Sequence, residues 1–95
     1  MEWKRIVFSG HALRRMFEWK IGGEDVAAVV GTGEAIMEYP EDKPFPSCLM
    51  LGYPRGRPIH VVAALDPATG TCHVITAYEP DPAVWQSDFR ARRLS

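Results

Sequence analysis

Four runs of strand-forming residues, separated by short breaks rich in proline and glycine, constrain the fold more than any other feature of the chain. The runs cover 34–39, 47–53, 59–65 and 71–78, and alternating or continuous apolar residues in each are typical of strands. The last two breaks are only five residues long each, and such short connections join antiparallel neighbours. We therefore predict an antiparallel meander in the second half of the chain.

Two helices are predicted before these strands. Ser9 is a suitable N-cap for a helix over 10–20, because its hydroxyl can accept from a free backbone N–H of the first turn. Two glycines at 22–23 end that helix, and Glu24 opens a second one with acidic residues at its positive end. Helices this short need a surface to pack against. The expected fold is α+β: two N-terminal helices, then a four-stranded antiparallel sheet with the helices on one face.

Composition is that of one globular domain. The chain has 95 residues, of which 46% are apolar and 24% charged, and this excludes a disordered chain. We expect a single domain over 1–95 with a basic tail over 86–95. No run approaches the about 20 apolar residues that span a bilayer, and the first residues do not read as a signal peptide. We therefore expect a cytoplasmic protein without membrane contact, in which Cys48 and Cys72 are reduced and buried.

Charge is unevenly distributed although the net charge is only -1. Acidic residues concentrate between positions 24 and 43, whereas basic residues lie mostly outside that stretch. A chain that is nearly neutral overall can still have a basic face for nucleic acid, and the alternative is a set of scattered, solvated charges. The candidates for contacting RNA are Arg14, Lys20, Arg55, Arg57, Arg90, Arg92 and Arg93.

One helix face and one sheet face carry the candidate catalytic residues. His11 and Arg15 are four residues apart, so they lie one turn apart on the predicted first helix. In the sheet, a five-residue loop over 66–70 would place His60 opposite Thr76, with Tyr78 on the same face. The same predicted strand register places a glycine, residue 52, beside His60. It places the His73 side chain on the face that packs on the helices.

These residue types suit cleavage of RNA without a metal ion or other cofactor. A histidine can move a proton near neutral pH, and an arginine can hold the oxygens of a phosphate. RNA supplies its own nucleophile, the 2′-hydroxyl, so the protein must provide a base, an acid and a cation. His11 or His60 would serve as base and acid and Arg15 as cation, while Thr76 and Tyr78 would hold the phosphate or act as a weaker acid.

Less specific interpretations remain open. His60 within a strand can be a structural histidine with satisfied hydrogen bonds, and Arg15 can simply pair with Glu18. The same face can also bind a protein or a nucleic acid without turning it over. A metal site formed by His11, His60 and His73 is disfavoured, because their spacing matches no familiar ligand pattern.

Three segments of the chain resemble a family of small bacterial proteins known as domain of unknown function 4258. They are the pattern F-S-x-H-A-x-x-R-M over 8–16, the stretch 51–62, and the stretch 74–81 with its sequence V-I-T-A-Y-E-P-D. The resemblance implies a ribonuclease fold of the barnase–EndoU–colicin–RelE type. It also implies a toxin that acts on RNA, possible association with ribosomes, and a small antitoxin partner of the zinc-finger type. The polar positions it implies are His11, Arg15, His60, Thr76 and Tyr78.

Overall fold

A five-stranded mixed sheet with two helices on one face forms the body of the protein, in a computed structural model that describes residues 1–94. In chain order the elements are β1 Arg5–Phe8, α1 Gly10–Trp19, α2 Gly23–Thr32, β2 Glu34–Tyr39, β3 Ser47–Gly52, β4 Ile59–Asp66 and β5 Thr71–Tyr78. The strand order across the sheet is β1-β5-β4-β3-β2. The predicted α+β class and the antiparallel meander of the last four strands are confirmed.

The prediction of only four strands is wrong, because β1 adds a fifth. It pairs in parallel with β5, with Arg5 opposite Thr71 and Phe8 opposite Val74. The Ser9 amide extends this pairing by donating to the Val74 carbonyl at 3.0 Å. The strand is four residues long and its partner lies at the other end of the chain, so neither a long alternating pattern nor a local turn announces it.

The helices bury their apolar sides against one face of the sheet. Val26, Val29 and Val30 of α2 are all buried there, together with Met50 and Val61 from the sheet. Elsewhere on this face, Gly52 allows a close approach, since a Cβ there would lie 3.0 Å from a methyl carbon of Val29. In residues 1–94, neither helix is long and apolar enough to span a membrane.

The sheet register differs by one residue from the prediction at two places. Asp66 pairs with Thr71, so the last loop is one residue shorter than expected. An irregularity at Ile75 then shifts the pairing again, and His60 lies opposite Tyr78 rather than Thr76. Because the side-chain period is two, the shifts still leave the His60, Thr76 and Tyr78 side chains on one face, as predicted.

Two further register predictions are wrong. His60 lies opposite Leu51 and not beside Gly52, so Leu51 is on the face away from the helices. His73 lies opposite Ala64, which places it on the His60 face rather than on the helix-packed face. In both cases a single-residue change in turn or strand length reverses the direction of the side chain.

The residues after β5 pack on the sheet. Residues 79–94, the C-terminal segment, fold over the face opposite the helices, and they bury Pro80 and Trp85. The segment forms a short hairpin in which the Gln86 amide donates to the Ala91 carbonyl at 2.8 Å. Residues 86–94 of the predicted tail are therefore tied to the domain, and residue 95 lies outside the described residues.

The two thiols are free, as predicted. Cys72 is buried opposite Leu65, and Cys48 is only half-buried opposite Ala63. Burial, with a smaller effect of Cys48, raises the pKa of the Cys72 thiol to about 11. Cys72 is therefore a protonated, apolar part of the core near neutral pH.

Candidate functional site

The start of α1 brings His11 over the exposed end of β5. Ser9 caps the helix as predicted: its hydroxyl accepts from the Ala12 amide and donates to the Ile75 carbonyl, both at 2.9 Å. Since β1 ends opposite Val74, the next residues of β5 lie beside the helix start instead of a strand. His11 Nε2 is 3.1 Å from Thr76 Oγ1, and the His11 side chain is exposed to solvent. The predicted meeting of His11 and the sheet face is therefore present at Thr76.

Burial, with a smaller effect of Tyr39, raises the pKa of the Tyr78 hydroxyl, and the guanidinium groups of Arg92 and Arg15 act in the opposite direction. Arg15 also has a 3.2 Å contact with Glu18 one turn along α1. Both partners of that ion pair are partly exposed, so it holds Arg15 only weakly and leaves it able to bind an anion.

His60 is fully buried and its ring is bonded on both sides. Nε2 lies 2.8 Å from the Phe89 carbonyl and Nδ1 lies 3.2 Å from the Tyr78 hydroxyl. The carbonyl can only accept, so we assign the proton to Nε2, and Tyr78 then donates to Nδ1. The Trp85 ring packs edge-on against the imidazole with 4.5 Å between centroids. His60 therefore orients Tyr78 and does not meet solvent in this arrangement.

The burial of His60 has a consequence for the free energy of unfolding. Burial lowers the pKa of His60 below its ordinary 6.5, against a smaller opposing effect of the Phe89 carbonyl. His60 of the unfolded chain therefore binds a proton at a higher pH than His60 of the folded protein, so the free energy of unfolding falls as the pH is lowered through 6.5.

We expect urea unfolding between about pH 8 and about pH 5.5 to show this loss of stability. His60→Gln keeps a donor and an acceptor but cannot titrate, so its loss should be smaller; an equal loss would contradict the assignment.

Most of the predicted RNA-contacting residues bind other parts of the protein. Arg57 donates to the carbonyls of Trp19 and Lys20, so it closes the C-terminal end of α1, and it also pairs with Glu79. Lys20 itself is exposed at that helix end, in a left-handed conformation. Arg55 pairs with Asp25 at 2.6 Å.

The basic residues of the C-terminal segment are likewise engaged. Arg90 pairs with Glu34 of β2, and Arg93 Nε donates to the Pro82 carbonyl at 2.7 Å. Arg92 lies over the Trp85 ring, 5.5 Å from its centroid, and its side chain is exposed. The predicted residues thus do not form one surface. Of these residues, Arg92 lies near Tyr78, on the sheet face that also holds His60 and Thr76, and Arg14 is exposed on α1.

The three histidines do not converge on a metal position. His60 is occupied by Tyr78 and Phe89, and His73 stacks on Phe45 at a centroid distance of 5.7 Å. Within residues 1–94, no three His, Cys, Asp or Glu side chains are placed to hold a metal ion.

Sequence reasoning missed the residues that cover His60 and the partner of His73. Trp85 offered a signal, because a tryptophan in an otherwise polar tail usually packs on something. Phe45 offered another, since Pro44 and Pro46 restrict the chain on either side of it. The Phe89 carbonyl is a backbone group and left no sequence signal.

Comparison with known protein families assigns the chain to one of them. The family described as Domain of unknown function (DUF4258) matches residues 8–79, most of the chain, and the chain therefore belongs to that family. The match includes the His11–Thr76 and His60–Tyr78 pairs and ends where the C-terminal segment begins. No curated protein matches the chain. No solved structure matches it either.

Proposed function

We propose that the protein is an endoribonuclease that cleaves RNA by acid–base catalysis without a metal ion. The observation that carries this proposal is the exposed His11 imidazole, held 3.1 Å from Thr76, with Arg15 one turn further along α1 and Tyr78 two residues further along β5. A proton-transfer group held by a second side chain, beside a cation for the phosphoryl oxygens, suits this chemistry.

Each residue has a role in the proposed reaction. His11 takes the proton of the 2′-hydroxyl, whose oxygen attacks the phosphorus atom and forms a 2′,3′-cyclic phosphate. The bond from phosphorus to the 5′-oxygen breaks, and Tyr78 turns its O–H from His60 Nδ1 to that oxygen and gives it the proton. Arg15 stabilises the negative charge that develops on the phosphoryl oxygens. Water later returns the proton from His11 to Tyr78, which restores both groups.

His60 acts in this scheme as a positioning residue. It accepts the hydrogen bond of Tyr78 before the reaction and so holds the hydroxyl oxygen in place, while Phe89 and Trp85 hold the imidazole. This differs from the sequence-based hypothesis, in which His60 itself was base or acid, because a fully buried ring cannot reach a phosphate.

The biological setting belongs to the same proposal. The sequence resemblance supports a cytoplasmic toxin of a toxin–antitoxin pair, with RNA, free or on ribosomes, as substrate and a small zinc-finger protein as antitoxin. An RNA-cleaving toxin must be kept inactive by a partner until it is needed. The surface around the exposed His11, Arg15 and Thr76 is therefore the one that an antitoxin would cover.

A binding module without catalysis is the second candidate. It is favoured by the burial of His60, which removes the histidine that contacts Tyr78 from direct proton transfer to a substrate. His11 and Arg15 would then hold a phosphate of a nucleic acid, or an acidic group of a protein, without turnover.

Cleavage of RNA by the purified protein separates the two candidates. We expect wild type to release products with 2′,3′-cyclic phosphate ends from RNA alone or from translating ribosomes. Arg15→Ala should lower the rate by about 10²–10³-fold, because it removes the cation at the developing charge. Glu18→Gln is the matched control: it breaks the same ion pair but keeps the cation, so activity should persist. Binding without cleavage by wild type would favour the second candidate.

A further inference from the structure

A stacked pair of aromatic rings lies on the sheet face that holds His60, Thr76 and Tyr78. Phe45, from the loop between β2 and β3, stacks on His73 of β5 with 5.7 Å between centroids and 19° between the ring planes. Both rings are half-buried. A cavity of about 410 Å³ lies beside them, lined also by Lys43 and Ile75. We call this pair and its cavity the Phe45–His73 shelf.

The shelf follows the proposed catalytic residues along β5. His73 lies opposite Ala64 and Thr76 lies opposite Val62, so the two positions are separated by two residues of β4 on one face. Two residues of a strand span about 7 Å. A group attached to a phosphate at His11 is therefore within reach of the shelf.

We propose that the Phe45–His73 shelf binds a nucleobase of single-stranded RNA next to the phosphate that lies beside His11 and Arg15. The inference rests on the proposed function for the position of that phosphate, but stacking itself does not require cleavage. The cavity volume of about 410 Å³ lies within the 300–1,000 Å³ of ordinary ligand pockets.

The chemistry of the shelf favours an unpaired base over other occupants. Nucleobases stack on aromatic side chains, and only unpaired bases offer a free ring face for this. Lys43 and Asp42 both line the cavity, so their charges offset each other, and the binding is carried by the aromatic rings. Pro44 and Pro46 restrict the backbone around Phe45, so little conformational entropy is lost on binding.

The test uses a short single-stranded 2′-O-methyl RNA that contains 2-aminopurine. It has no free 2′-hydroxyl and cannot be cleaved, so binding is measured apart from catalysis. We expect wild type to quench the 2-aminopurine fluorescence through stacking and the His73 ring protons to shift in a titration. Phe45→Ala should weaken binding by about 5- to 150-fold, the usual effect of losing one stacked base.

Two further variants serve as controls. Phe45→Tyr keeps the ring and should retain quenching, and an unchanged circular dichroism spectrum and melting temperature of Phe45→Ala show that its loss of binding is not a folding defect. Phe17→Ala removes an aromatic ring of α1 that is 86% exposed, and it should bind as wild type does.

The outcomes separate the shelf from the proposed catalysis. Cleavage by wild type with no quenching, and equal binding by Phe45→Ala, would overturn the shelf and leave the ribonuclease intact. Quenching that is lost in Phe45→Ala, without cleavage by wild type, would support the shelf and overturn the ribonuclease. A matching 2′-O-methyl duplex that binds as tightly as the single strand would overturn the shelf, and so would a wild type that binds no oligonucleotide.

Discussion

Replacing His11 with alanine should lower the rate of RNA cleavage by about 10²–10⁴-fold, the usual contribution of a general acid–base group. His11 is exposed, and within residues 1–94 its side chain has one hydrogen bond, to Thr76, so the substitution removes the base without opening the core. The measurement is the single-turnover rate on a labelled RNA, with circular dichroism to confirm an unchanged fold.

Phe17→Ala is the matched control, because it truncates another exposed side chain on the same helix and should leave the rate unchanged. Thr76→Val removes the hydroxyl that holds the imidazole and should give an intermediate loss, since the ring keeps its chemistry but not its orientation. If the protein acts as a toxin, expression of wild type slows growth and His11→Ala relieves the effect. A His11→Ala protein that cleaves at the wild-type rate would remove His11 from the mechanism.

Local features of the fold were readable from the sequence. The bounds of β2 and β5 match the prediction residue for residue, because β2 lies between Gly33 and Pro40, and β5 follows Gly70 and ends just before Glu79 and Pro80. Ser9 was readable as a cap for a similar reason: its preference depends on adjacent backbone groups and not on distant parts of the chain.

Features that depend on counting residues across turns were not readable. The loop before β5 is one residue shorter than expected, because Asp66 still pairs with Thr71. The irregularity at Ile75 then shifts the strand pairing by one more residue. His60 therefore faces Tyr78 instead of Thr76, whereas the face shared by the three residues survived the two shifts. The site was predicted in part: His11 reaches the sheet face of Thr76 and Tyr78, but His60 lies beneath the C-terminal segment, whose packing had not been predicted.

That segment also changes what the charge pattern means. Its arginines read as a free basic tail, yet Arg90 and Arg93 are engaged with β2 and with the segment's own backbone. An exposed charge run and a packed one have the same composition. What distinguished them here was a large apolar residue, Trp85, whose burial holds the segment on the sheet.

Replacing Trp85 with alanine should therefore lower the free energy of unfolding by about 3–5 kcal/mol, the usual cost of removing a buried tryptophan side chain. Trp85 is only 4% exposed and covers His60, and its ring also supports Arg92. A loss of this size is a large part of the stability of a small domain, and it should lower the melting temperature by at least about 12 °C. Urea unfolding followed by far-UV circular dichroism measures it.

The neighbouring substitution Val84→Ala removes a side chain that is 40% exposed and should cost much less, which controls for general effects on the segment. A second readout tests the cause of the loss. If Trp85 is what keeps water from His60, its removal relieves the burial that lowers the pKa of His60, so the variant should also lose part of the acid destabilisation of wild type. A Trp85→Ala protein that is less stable but keeps the full pH dependence would mean that Phe89 and Tyr78 exclude water from the His60 imidazole without the tryptophan.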